Sequence, residues 1–256
     1  MRFAYAGDRE IAVRVLDWLL AQGVRPLLLL VPAPERQSHA EALVARCPFL
    51  PPERVLRGAE FQQPHGLELL RGLELDYVFG VHFPLLIPEV ALAIPRHGVL
   101  NLHPAYLPYN RGWHTPSWAL MDETPIGATL HFMDTGVDTG DIVHQRELAV
   151  SPADTAHSLY QRLLELELRV FQEAWPDLVA ESYARRRQDP EAGTVHRKRD
   201  LLADRVRRVD LDQPVRAGDL LLRLRALTTS HPDEAAYYEA AGRRYRIRVS
   251  IEEETP

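Results

Sequence analysis

Apolar positions follow two periods along the first part of the chain, and their alternation predicts strands separated by helices. Residues 2–6 (RFAYA) and 26–31 (PLLLLV) are short apolar runs, typical of strands. Between them, apolar residues recur at helical spacing over 9–20, and Gly23 follows, as glycine often does past a helix end. Uninterrupted apolar strands are buried on both faces in parallel sheets. The order therefore predicts an open α/β sheet with right-handed crossovers.

The same pattern continues to about residue 175. Polar candidates for a helix cap and an early proline at 151–155 (SPADT) predict the start of the last helix in this region. We predict helices at 38–46, 66–72, 88–94, 115–121 and from 151–155 to about 175, and strands at 75–81, 98–103, 126–133 and 142–148. The fold class is therefore α/β, with a Rossmann-like, open and mostly parallel sheet.

The composition changes near residue 183. Segment 185–208 is rich in arginine, and after it the pattern predicts a helix at 220–227 and two strands at 236–238 and 245–249. We therefore expect two parts: a larger domain over 1–183 and a small C-terminal α+β subdomain over 184–256.

Charge and composition narrow the classes of function. The 256 residues carry a formal net charge of −6, which argues against a strongly basic nucleic-acid binder but not against a local basic patch. The single cysteine, Cys47, excludes a disulfide within the chain and a cysteine-based zinc site. No apolar run is long enough to span a bilayer, and no signal peptide is evident at the N-terminus. We expect a cytoplasmic protein without a membrane partner.

The first candidate chemistry lies at the end of the predicted strand 98–103. Asn101 and His103 alternate along this strand, so both side chains point to one face, with Cα atoms about 6.6–6.8 Å apart. Open parallel sheets bind ligands beyond the carboxyl ends of their strands. An amide and an imidazole there suit stabilisation of an oxyanion and movement of a proton. Two polar residues that simply cap a strand are the alternative.

The second candidate is the loop over 134–141 (DTGVDTGD). Its carboxylates suit a hard cation, although the spacing is not that of a twelve-residue calcium loop. The same composition is typical of a simple turn. A carboxylate of this loop next to a histidine would orient the ring and stabilise its protonated form.

Together these motifs resemble the tetrahydrofolate-dependent formyltransferases. The motifs are Asn101-x-His103-Pro104, then Leu107-Pro108-x-x-x-Gly112, and then Asp134-x-Gly136-x-Asp138-x-Gly140. The resemblance covers roughly residues 1–180, is densest over 76–148, and implies the formyltransferase fold. That family includes enzymes that formylate glycinamide ribonucleotide, methionyl-tRNA and nucleotide-linked amino sugars.

The resemblance also implies roles for individual residues. The family's catalytic asparagine, histidine and aspartate fall on Asn101, His103 and Asp138. Its cosubstrate is N10-formyltetrahydrofolate, and no metal is implied. The resemblance places the folate pocket on the segment before the catalytic strand and on the Asp-rich loop, with candidate residues Phe83, Leu85, Leu86, Ile87, Asp134 and Gly136.

The C-terminal part favours one subfamily. The purine enzyme is essentially the catalytic domain alone, and the methionyl-tRNA enzyme carries a longer C-terminal β-barrel. The nucleotide-sugar enzymes resemble this chain best, both in size and in the amino-acid sequence around His103. The resemblance therefore implies a nucleotide-linked amino sugar as acceptor, a role in lipopolysaccharide or O-antigen biosynthesis, and a homodimer through the C-terminal region. Candidate acceptor-binding residues are Tyr109, Asn110, Arg111, Trp113, His196 and Arg225.

Three alternatives stay open at this point. The chain could formylate another amine, on methionyl-tRNA or glycinamide ribonucleotide. It could be a folate-binding module without catalysis, which the joint presence of all three catalytic-type residues argues against. It could also hydrolyse formyltetrahydrofolate, because such hydrolases share the same catalytic-type residues.

Overall fold

The elements below come from a computed structural model, which describes residues 1–189 and 191–254. Its strands are β1 (Phe3–Gly7), β2 (Leu28–Val31), β3 (Val55–Arg57), β4 (Tyr77–Val81), β5 (Gly98–His103), β6 (Arg111–Gly112), β7 (Gly127–Phe132), β8 (Ile142–Glu147), β9 (Val195–His196), β10 (Ala236–Ala240) and β11 (Arg243–Ile247). Its α-helices are α1 (Arg9–Ala21), α2 (Ala40–Arg46), α3 (Pro64–Gly72), α4 (Glu89–Leu92), α5 (Thr115–Met121), α6 (Ala156–Ala180), α7 (Asp204–Arg207) and α8 (Ala217–Ala226).

Seven strands form one sheet in the order β3-β2-β1-β4-β5-β7-β8. The five strands from β3 to β5 are parallel, and β7 runs antiparallel to β5. Hydrogen bonds from Phe132 N to Asp141 O and from Leu148 N to Ile126 O, both 2.8 Å long, join β7 and β8 as an antiparallel hairpin. The predicted α/β class with a mostly parallel sheet is confirmed.

Apolar side chains cover both faces of the central strands. β1, β2 and β4 are buried along their whole length. On one face, Phe79 of β4 meets Phe171 of α6, with ring centroids 5.5 Å apart. On the other face, Val78 and Val99 belong to an apolar cluster that includes Leu70 of α3. Double burial explains why these strands have uninterrupted apolar sequences.

The chain folds into two compact units, and neither is continuous in sequence. The first unit comprises Met1–His103, Thr129–Gln145 and Glu167–Gln188, and the second comprises Pro104–Ala128, Arg146–Leu166 and the described residues of Asp189–Pro256. The sequence predicts two domains that are each continuous, with a boundary between residues 183 and 184. That division into domains stays a prediction.

The second unit contains the small C-terminal elements that we expected. β10 and β11 pair antiparallel around a tight turn in which Ala241 and Gly242 both have positive φ. Its core is formed by Leu201, Leu227 and Ala236, with apolar side chains of α5 and α8 packed around them. Among the described residues, no helix has the length and apolar content needed to cross a membrane.

Several elements differ from the sequence prediction, and β3, α6 and the pair β6 and β9 show why. β3 (Val55–Arg57) was not predicted, because only Leu56 of its three residues is buried and the strand is too short to show a period. α6 continues through Pro176 to Ala180, five residues beyond its predicted end, where Leu178 is fully buried. β6 and β9 have two residues each and pair in parallel, a contact between distant segments that no local pattern indicates.

Candidate active site

Adjacent strands place four polar side chains on one face of the sheet. In the register of β5 and β7, Asn101 lies opposite His131 and His103 lies opposite Thr129. Val99, Asn101 and His103 are every second residue of β5, so their side chains point to the same face of the sheet. On this face Val99 packs in the apolar cluster. This face therefore carries apolar side chains in its interior and polar side chains at the end of β5.

The three predicted catalytic-type residues come together around one carboxylate. Asn101 Nδ2 donates to Asp138 Oδ1 at 3.4 Å, and His103 Nε2 lies 3.5 Å from Asp138 Oδ2. Each carboxylate oxygen thus faces one of the two strand residues. Only 6% of His103 is exposed, so the charge of Asp138 acts on the imidazole in a medium of low dielectric constant.

His131 completes this cluster and is not among the residues predicted from the sequence. Its Nδ1 lies 2.7 Å from the carbonyl oxygen of Phe132, which can only accept, so Nδ1 carries a hydrogen. In the neutral ring, Nε2 then accepts from Asn101 Nδ2 at 3.3 Å, and it lies 3.6 Å from Asp138 Oδ1. His131 is brought to the site by the antiparallel register of β5 and β7, and a single sequence does not reveal that register.

The contacts within this cluster are long. Distances of 3.3–3.6 Å exceed the 2.7–3.2 Å range of ordinary N–H···O bonds. Catalytic hydrogen bonds are often long without substrate and tighten in the reacting complex. The Asn101 amide can therefore exchange one of its two long contacts for a hydrogen bond to a bound oxyanion.

The loop that carries Asp138 is a tight turn rich in internal hydrogen bonds. Asp134 Oδ1 accepts from the backbone of Gly136 at 2.9 Å and from Thr139 Oγ1 at 2.6 Å. A side chain at Gly140 would lie 1.9 Å from the carbonyl oxygen of Phe132, so only glycine fits there. Within the described residues, no group of three or more His, Cys, Asp or Glu side chains could hold a metal ion. The hydrogen bonds that Asp134 accepts are typical of the turn that the sequence offered as one alternative.

The segment after β4 contains the predicted folate residues. Phe83, Leu85 and Ile87 pack against the apolar cluster on the face shared with Val99, whereas Leu86 is 82% exposed. The backbone oxygen of Leu86 accepts from Gln62 Nε2 at 2.9 Å. Alternate residues thus anchor the segment, and Leu86 projects outward.

A buried contact between a histidine and a glutamate fixes the start of this segment. His82 has a φ of +50°, and its Nε2 lies 2.7 Å from Oε1 of Glu167 on α6. Burial raises the pKa of the fully buried Glu167 carboxyl, and the neighbouring His82 opposes that shift. The chain turns at His82, and the contact with Glu167 holds the position at which the segment over 83–87 begins.

The predicted acceptor residues at 109–113 lie in the second unit beside β9. Asn110 is buried, and its amide donates to Thr124 Oγ1 at 2.8 Å and accepts from Thr194 Oγ1 at 3.3 Å. Arg111 is buried and reaches the backbone oxygen of Asp189 at 3.4 Å. Tyr109 is half-buried.

Trp113 differs from its neighbours because 39% of it is exposed. The ammonium nitrogen of Lys198 lies 4.9 Å from the centre of its ring. Of the predicted acceptor residues, Trp113 offers the most accessible apolar surface.

His196 and Arg225 have partners within the protein. The ring of His196 stacks on Trp118, with centroids 4.0 Å apart and planes 3° apart, and its Nε2 lies 3.2 Å from Asp122. Burial lowers the pKa of His196 despite the nearby carboxylate. Arg225 donates to the backbone oxygens of Asp154 and Ser151 at 2.7 and 2.8 Å, and so ties down that loop.

Two family models match this chain. The model described as "Formyl transferase" matches residues 36–175, which include the whole cluster around Asp138. The model described as "N-formyltransferase dimerization C-terminal domain" matches residues 203–253.

Individual relatives agree with these models. A dTDP-4-amino-4,6-dideoxyglucose formyltransferase of Mycobacterium tuberculosis is 35% identical over 181 residues, 71% of this chain and 75% of the relative. A methionyl-tRNA formyltransferase of Stenotrophomonas maltophilia is 31% identical over 259 residues, 98% of this chain and 81% of the relative. The X-ray structure of a sugar N-formyltransferase from a Shewanella species has the same fold, with a TM-score of 0.82 at 22% identity over 100% of this chain and 99% of that chain.

Proposed function

Because the chain belongs to the formyl transferase family, we propose that it transfers the formyl group of N10-formyltetrahydrofolate to the amine of a nucleotide-linked amino sugar. The observation that supports this proposal most is the convergence of Asn101, His103 and Asp138 at the end of β5.

The reaction needs one bond formed, one broken and one proton moved. The neutral amine of the acceptor attacks the formyl carbon, and the carbonyl oxygen becomes an oxyanion. The bond between that carbon and N10 then breaks. The proton lost by the attacking amine is delivered to N10, which restores tetrahydrofolate. Protonation of the acceptor amine blocks the attack, so the rate should fall at low pH.

The cluster supplies the groups that this sequence of steps needs. Asn101 Nδ2 and the imidazolium of His103 donate to the developing oxyanion, and the loss of one such donor typically costs about 2.7–4 kcal/mol of barrier. Asp138 orients His103 and favours its charged form, because an opposite charge at this distance stabilises the imidazolium. His131 holds the Asn101 amide in its orientation.

We place the folate beside the segment over 83–87. Phe83, Leu85 and Ile87 pack on the face that also carries Asn101 and His103, which favours a slot for a flat ring beside the reacting atoms. Backbone groups at Leu85 and Leu86 are the proposed hydrogen-bond partners of the pterin. In this arrangement Asp134 and Gly136 act through the shape of the loop that carries Asp138.

For the acceptor we propose Tyr109 and Trp113 as contact residues. They follow the catalytic strand in the sequence, and an exposed indole suits stacking on a base or sugar. Asn110, Arg111, His196 and Arg225 are proposed to act through the fold, since their side chains already bind neighbouring groups of the protein.

The relative at 35% identity favours a nucleotide sugar as acceptor, and it is named for a dTDP-linked 4-amino sugar. The relative at 31% identity aligns with nearly the whole chain and is named for methionyl-tRNA, which makes that acceptor the alternative. We further propose a homodimer through the C-terminal region, because the dimerization domain model matches residues 203–253.

An acceptor screen tests the function. Purified protein is mixed with N10-formyltetrahydrofolate and release of tetrahydrofolate is followed with dTDP-, GDP- and UDP-linked amino sugars, glycinamide ribonucleotide and charged initiator tRNA. Turnover with a nucleotide sugar, lost in Asn101→Ala, is the expected result. Turnover with tRNA or glycinamide ribonucleotide alone would overturn the acceptor, and folate binding without any turnover would contradict catalysis.

A further inference from the structure

The loop that carries Asp138 is held by a side chain from a distant part of the sequence. Gln188 Nε2 donates to the backbone oxygen of Asp138 at 2.8 Å and to that of Gly140 at 2.7 Å. Only 6% of Gln188 is exposed. One amide group thus uses both of its hydrogens on the two carbonyls that flank Thr139.

The loop needs such a contact because its backbone is strained. Asp138 has a φ of +52°, a left-handed conformation that is uncommon outside glycine, although aspartate tolerates it better than most residues. Such conformations persist where the surrounding structure determines them. Buried carbonyl oxygens in an irregular loop also need donors. Gln188 meets both requirements at the residue whose side chain faces Asn101 and His103.

The position of Gln188 is itself fixed. Ile142 and Arg186 exchange two backbone hydrogen bonds, of 2.8 and 2.9 Å, and so pin the segment two residues before Gln188 to the start of β8. From this anchored backbone, glutamine has the length to reach both carbonyls. Asparagine is one methylene shorter, and methionine has similar volume but no donor.

We propose that Gln188 is a positioning residue for formyl transfer, which sets the direction of the Asp138 carboxylate by holding the backbone of its loop. This inference rests on the proposed function only in assigning Asp138 to catalysis. The backbone conformation of residue 138 determines where its side chain points, and small misplacements of a catalytic group can cost about 10²-fold in rate. Gln188 touches neither formyl donor nor acceptor in this proposal.

A double-mutant cycle on kcat tests whether Gln188 acts through Asp138. Gln188→Met should lower kcat by about 10- to 100-fold with little change in the KM of either substrate. In the Asp138→Asn background the same change should cost less than about threefold, because the carboxylate that Gln188 positions is already gone. Equal losses in both backgrounds, or unchanged kcat in the single variant, would overturn the proposal.

Tyr5→Phe is the matched control for a lost buried hydrogen bond. The Tyr5 hydroxyl donates to the backbone oxygen of Ala12 at 2.7 Å in the same compact unit, but it does not contact the loop. This variant should lose stability without a comparable loss of kcat. Where Gln188→Met does not fold, the shorter Gln188→Asn replaces it in the same cycle with the same expected outcomes.

Hydrogen exchange gives a readout that needs no acceptor. Amides of residues 138–141 should exchange at least about tenfold faster in Gln188→Met than in the wild type, and at the wild-type rate in Tyr5→Phe. Unchanged exchange in Gln188→Met would overturn the proposal whatever the acceptor is. Faster exchange in a protein that formylates no tested amine would support the role of Gln188 in the loop while contradicting the proposed function.

Discussion

Two of the histidine–aspartate pairs in this molecule have similar distances and different surroundings. His103 lies 3.5 Å from Asp138 in the first unit, and His196 lies 3.2 Å from Asp122 in the second. One face of the His196 ring is covered by Trp118 at 4.0 Å. The aromatic neighbour of His103 is the edge-on ring of His131, 6.2 Å away.

The carboxylates also differ in how they are held. Asp122 lies in regular backbone at the C-terminal end of α5. Asp138 lies in a left-handed turn and faces Asn101, His103 and His131 together. Burial has the largest effect at His196 and lowers its pKa, which favours the neutral form of a ring that is packed on Trp118. The distance between an imidazole and a carboxylate therefore does not identify a catalytic pair. The groups that surround the two side chains do.

The largest expected difference between the two pairs is in turnover. His103→Ala should lower kcat by about 10²- to 10³-fold, because it removes a donor to the oxyanion. His196→Ala should keep kcat within about tenfold. Initial rates with the acceptor found in the screen, together with circular dichroism of both variants, measure this. Similar losses of kcat in two folded variants would contradict the distinction.

A second prediction concerns the charge of Asp138. Asp138→Asn should lower kcat by about 10- to 100-fold and leave folate binding within about threefold, because the amide keeps the shape but does not stabilise the imidazolium. The rate should then fall with rising pH from a lower pH than in the wild type. Rate profiles between pH 5 and 9, with Asp122→Asn as the control, test this. A wild-type profile in Asp138→Asn would argue against coupling to His103.

A third prediction uses the lowered pKa of His196. A histidine whose folded pKa lies below its unfolded value of about 6.5 binds fewer protons in the folded state. Its contribution to stability is therefore present above that pH and is lost as the pH falls below it. The melting temperature of the wild type should drop more between pH 7 and 5 than that of His196→Gln. His144→Gln, which changes a histidine beside Glu173 at the surface, is the control.

Much of this contrast was accessible from the sequence. The spacing of apolar residues, together with the glycines and prolines between them, predicted the sheet. The motif around Asn101 and His103 identified the strand that carries the site. Both are local features of the sequence. The proximity of Asp138 came only from the family resemblance. The positions of His131 and Gln188 were not predictable, since one depends on antiparallel register and the other on a side chain that crosses from a remote segment. Contacts between residues that are far apart in the sequence cannot be predicted from local sequence patterns.

The smallest expected effect comes from Glu167, the carboxylate that contacts His82. Burial raises its pKa, so the folded state binds more protons than the unfolded state above the unfolded pKa of about 4.3. Its stabilising contribution is therefore present at low pH and is lost as the pH rises. Glu167→Gln keeps an oxygen that can accept from His82 but carries no charge.

The melting temperature of Glu167→Gln relative to the wild type should therefore rise between pH 4.5 and 7, while kcat stays within about threefold. Glu173→Gln is the control, because its carboxylate pairs with His144 but is one-third exposed. A relative melting temperature that falls over this range would mean that the His82 contact outweighs the cost of burying the charge. The contact between Glu167 and His82 would then matter more to stability than the burial of the carboxylate, as we propose for the contact between Asp138 and His103.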